Sequence, residues 1–309
     1  MNIWIFLKNK FIFYGEDSYQ IDTFVGETPR ISSPTKEGFN FVGWYFSNNN
    51  EKFSGTIQEG MDGRTIVAKF EKSKFNFTYQ IEANNEITVT GLIDINTVSI
   101  IIPNKVNGYD VTSISEKAFQ NRIYLVSVTI PNSIKNIHPK CFNGARMLSE
   151  ILVDSTNPYF TSDKGVLYTK DMTELRHYPP KNCTSFNVPS TVKKIGDYSF
   201  YQHKDGGVGN IVFNEGLVEI GQRAFYECTA LTTLRFPSTL KVIGEEALAE
   251  LTSLTVIDVP ASVTYIGPNA FKKFKKTINF NCTEDYALQH FDVQYLGSIG
   301  STAVVNYKG

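Results

Sequence analysis

Charge of one sign is missing from this chain: 30 Lys and Arg stand against 31 Asp and Glu in 309 residues. With no basic field to attract a polyanion, neither nucleic acid nor an anionic bilayer is expected as a partner. Long apolar runs are missing as well. The segments 2–6 and 11–14 are separated by Lys8 and Lys10 and fall far short of the roughly 20 residues a bilayer span needs. No transmembrane segment is therefore expected, and the same stretch does not read as an intact signal peptide. Cysteine is scarce, and Cys141, Cys183, Cys228 and Cys282 form no CxxC pair; they are expected to be buried thiols serving as small apolar side chains.

The usual marks of catalysis are absent too. The four histidines, at 138, 177, 203 and 290, have no nucleophile nearby in sequence, and His138 and His203 are expected in exposed turns. No Walker loop, GxGxxG after a strand, HExxH, GxSxG or EF-hand spacing occurs. No enzyme activity, cofactor or metal site is expected. The stretch from Asp205 to Gly209 is a glycine-rich turn, and the run from Lys272 to Lys276 is the one local basic cluster, expected as a solvated turn.

What the chain has is aromatic side chains and a repeat. Phe and Tyr number 23 and 16, which favours strands. Segments ending in Phe119, Phe142, Phe200, Phe225, Leu248 and Phe271 share the pattern I-G-x-x-A-F, mostly every 23 residues. A second set keeps step with it: Leu125, Val128 and Ile130 before Pro131, then Leu231, Leu234 and Phe236 before Pro237, then Leu254, Ile257 and Val259 before Pro260. The alternation before each proline is that of a short strand with one buried face. Proline cannot donate to a ladder and ends it. Glycines 196, 221, 244 and 267 suit a turn with positive φ. A fixed period of this length predicts a solenoid in which small residues such as Ala118, Cys141 and Ala224 leave room for neighbouring coils and the aromatics fill the core.

The motif I-P-x-x-V-x-x-I-G-x-x-A-F resembles the BspA-like class of leucine-rich repeats, a bacterial surface-antigen type, over residues 76–296. The segment 77–91, leading to Ile100-Ile-Ile-Pro103, resembles the family's opening cap. The divergent stretch from Asn157 to Pro180 resembles a longer repeat variant. Upstream, 25–29, 34–45 (with Phe39, Phe41, Gly43 and Trp44) and 65–70 resemble a Listeria–Bacteroides repeat, also called the internalin B-repeat, within 1–75; Trp44 is expected in its core. Residues 297–309 are expected as a tail. The fold class implied is mainly β, a leucine-rich-repeat solenoid with a parallel strand ladder, preceded by a small β-grasp-like module.

A ladder of seven strands leaves one broad face for recognition. Its outward positions are Ser127, Thr129, Glu150, Leu152, Asn187, Asn210, Val212, Thr233, Arg235, Val256, Asp258 and Asn279, mostly small and polar. The resemblance implies a non-enzymatic, extracellular or cell-surface adhesion protein whose partner is a protein or glycan, a host matrix or cell-surface protein among the candidates. A structural component of a virion or surface appendage, using the solenoid as a scaffold, is the alternative.

Overall fold

A computed structural model describes residues 2–6, 11–14, 39–59, 61, 64–72, 75–204 and 207–308. It divides into two compact units, Met1–Asp94 and Ile95–Gly309. The division falls later than the 75/76 boundary expected from the repeat pattern. The hairpin of Phe77–Ile81 and Ile87–Leu92 joins the first unit's sheet, with Phe41 opposite Gln80.

In that first unit, Phe39–Phe46 runs antiparallel to Arg64–Lys72. Phe41, Trp44, Phe46, Phe53, Ile57, Met61 and Ile66 form its core. Phe41 and Trp44 are an odd number of residues apart, so a regular strand would send them to opposite faces. A register shift between Phe41 and Gly43 adds one residue, with Gly43 at φ 139°, and so brings both rings to the same side. They meet edge to face at 5.5 Å. Trp44 is thus a core residue. The motif segments 25–29 and 34–38, and the side chain of Phe39, lie outside the described residues.

The second unit is a parallel-strand solenoid of about 10 turns. Its return strands Lys194–Ile195, Glu219–Ile220, Val242–Ile243 and Tyr265–Ile266 pair in parallel, one above another. Between them and the face strands runs an aromatic file, with Phe119 stacked on Phe142 at 5.4 Å and Phe200 on Phe225 at 4.9 Å. Phe119, Phe142, Phe200, Phe225, Leu248 and Phe271 are all buried, as are the small residues that precede them. Inside the divergent stretch Tyr178 takes the same slot, stacked on Phe200 at 4.9 Å, and its hydroxyl donates to the Cys183 carbonyl at 3.0 Å. The longer unit therefore continues the aromatic file toward Phe200.

Glycines 196, 221, 244 and 267 serve a different purpose from the one expected: none has positive φ. A Cβ on Gly244 would lie 2.7 Å from the Gly221 carbonyl carbon and 2.8 Å from the Gln222 nitrogen, and one on Gly267 would lie 2.7 Å from the Glu245 nitrogen. Successive coils approach backbone to backbone here, which leaves no room for a side chain. Positive φ falls instead on Arg223, Glu227, Glu246 and Glu250. These left-handed residues stand four apart in each coil, and every second N–H from one to the next points at the following coil: Arg223 donates to Glu245, Phe225 to Ala247 and Glu227 to Ala249, at 2.9–3.0 Å.

The face ladder departs from the single seven-stranded sheet expected. Nine strands lie along it in three separate sets: Ser99–Ile101, Ser127–Ile130 and Glu150–Val153; Ser185–Asn187, Asn210–Val212 and Thr233–Arg235; Val256–Val259, Thr277–Phe280 and Val304–Tyr307. At the first break the divergent unit intrudes. The Ile151 N–H donates to the Gly165 carbonyl at 2.9 Å instead of to another face strand. Residues 297–309, expected as a tail, carry the last strand, in register with Thr277–Phe280.

Candidate functional site

Alternation decides which side chains face outward. In Asn210–Val212 and Thr233–Arg235 the central Ile211 and Leu234 are buried while their neighbours are exposed. Pairing then sets the outward residues in two rows. Ser127 stands opposite Glu150 and Thr129 opposite Leu152. Asn187 stands opposite Val212, which stands opposite Arg235, and Asn210 is opposite Thr233. Val256 and Asp258 pair with Thr277 and Asn279. The twelve expected positions are thus brought together within sets, but the two breaks keep them from forming one uninterrupted ladder.

Polar members of the rows bond to each other along the stack. Ser99 and Ser127 hydroxyls lie 2.8 Å apart; Thr233 donates to Asn210 at 2.7 Å; Asn279 donates to Asp258 at 2.7 Å, and Asn306 to Asn279 at 2.8 Å. Among the described residues the exposed Arg235 guanidinium has no hydrogen-bond or ion-pair partner. Beside it lies a groove of about 610 Å³, lined by Val212, Phe213, Glu215, Arg235, Phe236 and Pro237, with Asn210 and Thr233 at its rim. Phe213 and Phe236, half-buried, stack on each other at 6.1 Å.

One outward residue that sequence reasoning missed is Ile101, 73% exposed and opposite Thr129. Its place before Pro103 carried the signal, since it matches the spacing of the rows. Two other expectations are corrected. His203 is fully buried, not an exposed turn residue, and Cys183 is exposed while Cys141 and Cys228 are buried. The basic cluster is partly neutralised: Lys272 pairs with the buried Glu246 and Lys273 with Glu250, both at 2.8 Å, and Phe274 is buried. Desolvation pushes both carboxyls up, but Lys272 with Arg223 at Glu246, and Lys273 with the Tyr226 hydroxyl at Glu250, outweigh it and hold both below the usual carboxylate range. Among the described residues no group of three His, Cys, Asp or Glu side chains is placed to hold a metal. No described helix is long and apolar enough to cross a membrane.

The stacked coils and the outward rows are those of a known repeat. Residues 85–165 and 174–291 match the BspA type leucine rich repeat region in six copies. The chain belongs to that family. No curated protein matches it. Among solved structures, this BspA-type chain is similar to the pneumococcal vaccine antigen PcpA, with 19% identity over 66% of this chain and 61% of that one and a TM-score of 0.48. It is also similar to a leucine-rich-repeat protein of Eubacterium ventriosum, with 18% identity over 66% and 76% of the two chains and a TM-score of 0.48. A leucine rich cell surface protein of Faecalibacterium prausnitzii shares 18% identity over 77% and 94%, with a TM-score of 0.44.

Proposed function

We propose that this BspA-type protein is a non-enzymatic adhesion or binding protein of the cell surface that recognises a protein or glycan partner through the outward rows of its face strands. The observation that carries this reading is the register of those rows. Side chains from successive coils form a broad surface of small polar and apolar groups, with Leu152 and Val212 exposed among them. Interfaces of this kind draw affinity from a few central anchors within near-neutral surroundings.

The test is binding of the full chain to immobilised fibronectin, laminin and collagen. The triple replacement Glu150→Ala, Arg235→Ala, Asp258→Ala is expected to weaken binding by about tenfold or more, the worth of one well-made charged contact. Unchanged binding would remove the strand face from consideration.

A further inference from the structure

We propose that the groove between the Asn210–Val212 and Thr233–Arg235 coils is a subsite for an extended peptide segment that carries a carboxylate next to an apolar side chain. The proposal rests on the strand-face reading and narrows it to one place and one ligand chemistry.

Three observations converge. First, the corner position filled by Phe213 and Phe236 is buried in most other coils, at Ile102, Ile130, Val188, Val259 and Phe280, and half-buried at the set-edge residues Val153 and Tyr307. At the Phe213 and Phe236 coils the rings stay half-exposed and line the groove with Val212 and Pro237. Second, the two rings stack on each other, 6.1 Å apart and 19° from parallel, and Phe213 meets Phe225 edge to face at 6.1 Å. The stack covers one face of each ring, and ring rims carry positive potential while ring faces carry negative. Sugars stack on open aromatic faces, and the shared faces here are occupied. Carbonyl and carboxylate oxygens suit the rims. Third, among the described residues Arg235 is an exposed cation without a partner, in a face where Asn210 and Thr233, and Asp258 and Asn279, bond to one another. A guanidinium fork matches a carboxylate in two parallel hydrogen bonds.

The groove lining also holds a fixed acceptor, Glu215. Glu215 accepts from the Ser238 backbone N–H at 3.2 Å and from its hydroxyl at 3.0 Å, both through one carboxylate oxygen. Its second oxygen is left to accept a peptide N–H. A donor at Arg235, an acceptor at Glu215 and the apolar lining of Val212, Phe213, Phe236 and Pro237 match the alternation of groups along an extended chain.

The probe is the peptide acetyl-Leu-Asp-Leu-Asp-amide, titrated against the full-length protein by NMR, with acetyl-Leu-Asn-Leu-Asn-amide and cellotetraose as comparisons. The acidic peptide is expected to bind about tenfold more tightly than its neutral twin, the worth of one charge-assisted contact. Arg235→Gln should erase that difference, and Phe213→Leu should weaken both peptides. Arg235 is exposed, so its replacement should leave the far-UV circular dichroism spectrum and unfolding midpoint unchanged. Equal affinity for the two peptides, a preference for cellotetraose, or an unaltered response in Arg235→Gln would overturn the proposal. If matrix proteins bind the wild type through the face while the acidic peptide does not bind, the subsite falls and the face stands. If neither binds, both fall.

Discussion

Acid should destabilise the repeat unit well before its carboxylates titrate, because two histidines lie inside it. His177 and His203 are buried, and among the described residues neither imidazole has a well-aligned hydrogen-bond partner, the Tyr178 carbonyl near His203 making only a poor one. His177 packs on Phe142 at 4.9 Å and His203 on Phe200 at 5.5 Å. Burial is the main cause that holds both imidazoles down to about 3 from the ordinary 6.5; the charge of His203 adds to it for His177, and the Tyr178 carbonyl opposes it for His203. In the folded protein both are neutral at pH 5, whereas in the unfolded chain both are protonated there.

The unfolded state therefore binds more protons, and stability rises with pH through this window. It is complete above 6.5 and is lost progressively as pH falls toward 3. One pH unit is worth about 1.36 kcal/mol per group, so at pH 5 each histidine costs about 2 kcal/mol and the pair about 4 kcal/mol, a large share of the 5–15 kcal/mol typical of a folded domain. Urea unfolding followed by far-UV circular dichroism at pH 7.5, 6 and 5 measures the slope. His177→Phe keeps the stack on Phe142 and should remove about half of the pH dependence between 6 and 5; His203→Leu should remove a similar share. Slopes that match the wild type in both variants would refute the argument. Glu246 and Glu250 titrate below their usual range and do not contribute above pH 5.

His203 also shows where the sequence was legible and where it was not. Its neighbours Gln202, Lys204 and Asp205 give the stretch the look of an exposed insert. Yet it lies three residues after Phe200, as Cys228, Leu251 and Phe274 lie three after Phe225, Leu248 and Phe271, and all four are buried. The period held the answer, and local polarity masked it. The file of aromatics, the alternating strands and the outward rows followed from the period alone, since a coil can bury its apolar side chains only against its neighbours. The first break in the face ladder did not follow. It depends on where the divergent unit seats Gly165 beneath Ile151, a long-range backbone contact that no local pattern encodes. Nor did the groove at Arg235, which arises where two successive coils leave the Phe213 and Phe236 rings half-exposed at the corner position.

Burial separates the thiols by reactivity, because the thiolate is the reacting form and a buried thiol resists ionisation. Cys228, pushed up to about 12 by burial, and Cys141, pushed higher still, should react with a disulfide reagent only after unfolding, while exposed Cys183 reacts at once; four equally fast thiols in native buffer would contradict the buried file. Gly244→Ala tests the close approach of coils. The added methyl meets Gly221 and Gln222 backbone at 2.7–2.8 Å, and neither can move without breaking the parallel pairing of Glu219–Ile220 with Val242–Ile243. Overpacking of this kind costs about 1–3 kcal/mol. Were positive φ the reason for glycine, Asn would substitute well at 244, since it tolerates left-handed backbone. Close approach predicts the reverse: Gly244→Asn should lower the thermal midpoint at least as much as Gly244→Ala, and an Asn variant as stable as wild type would restore the turn explanation.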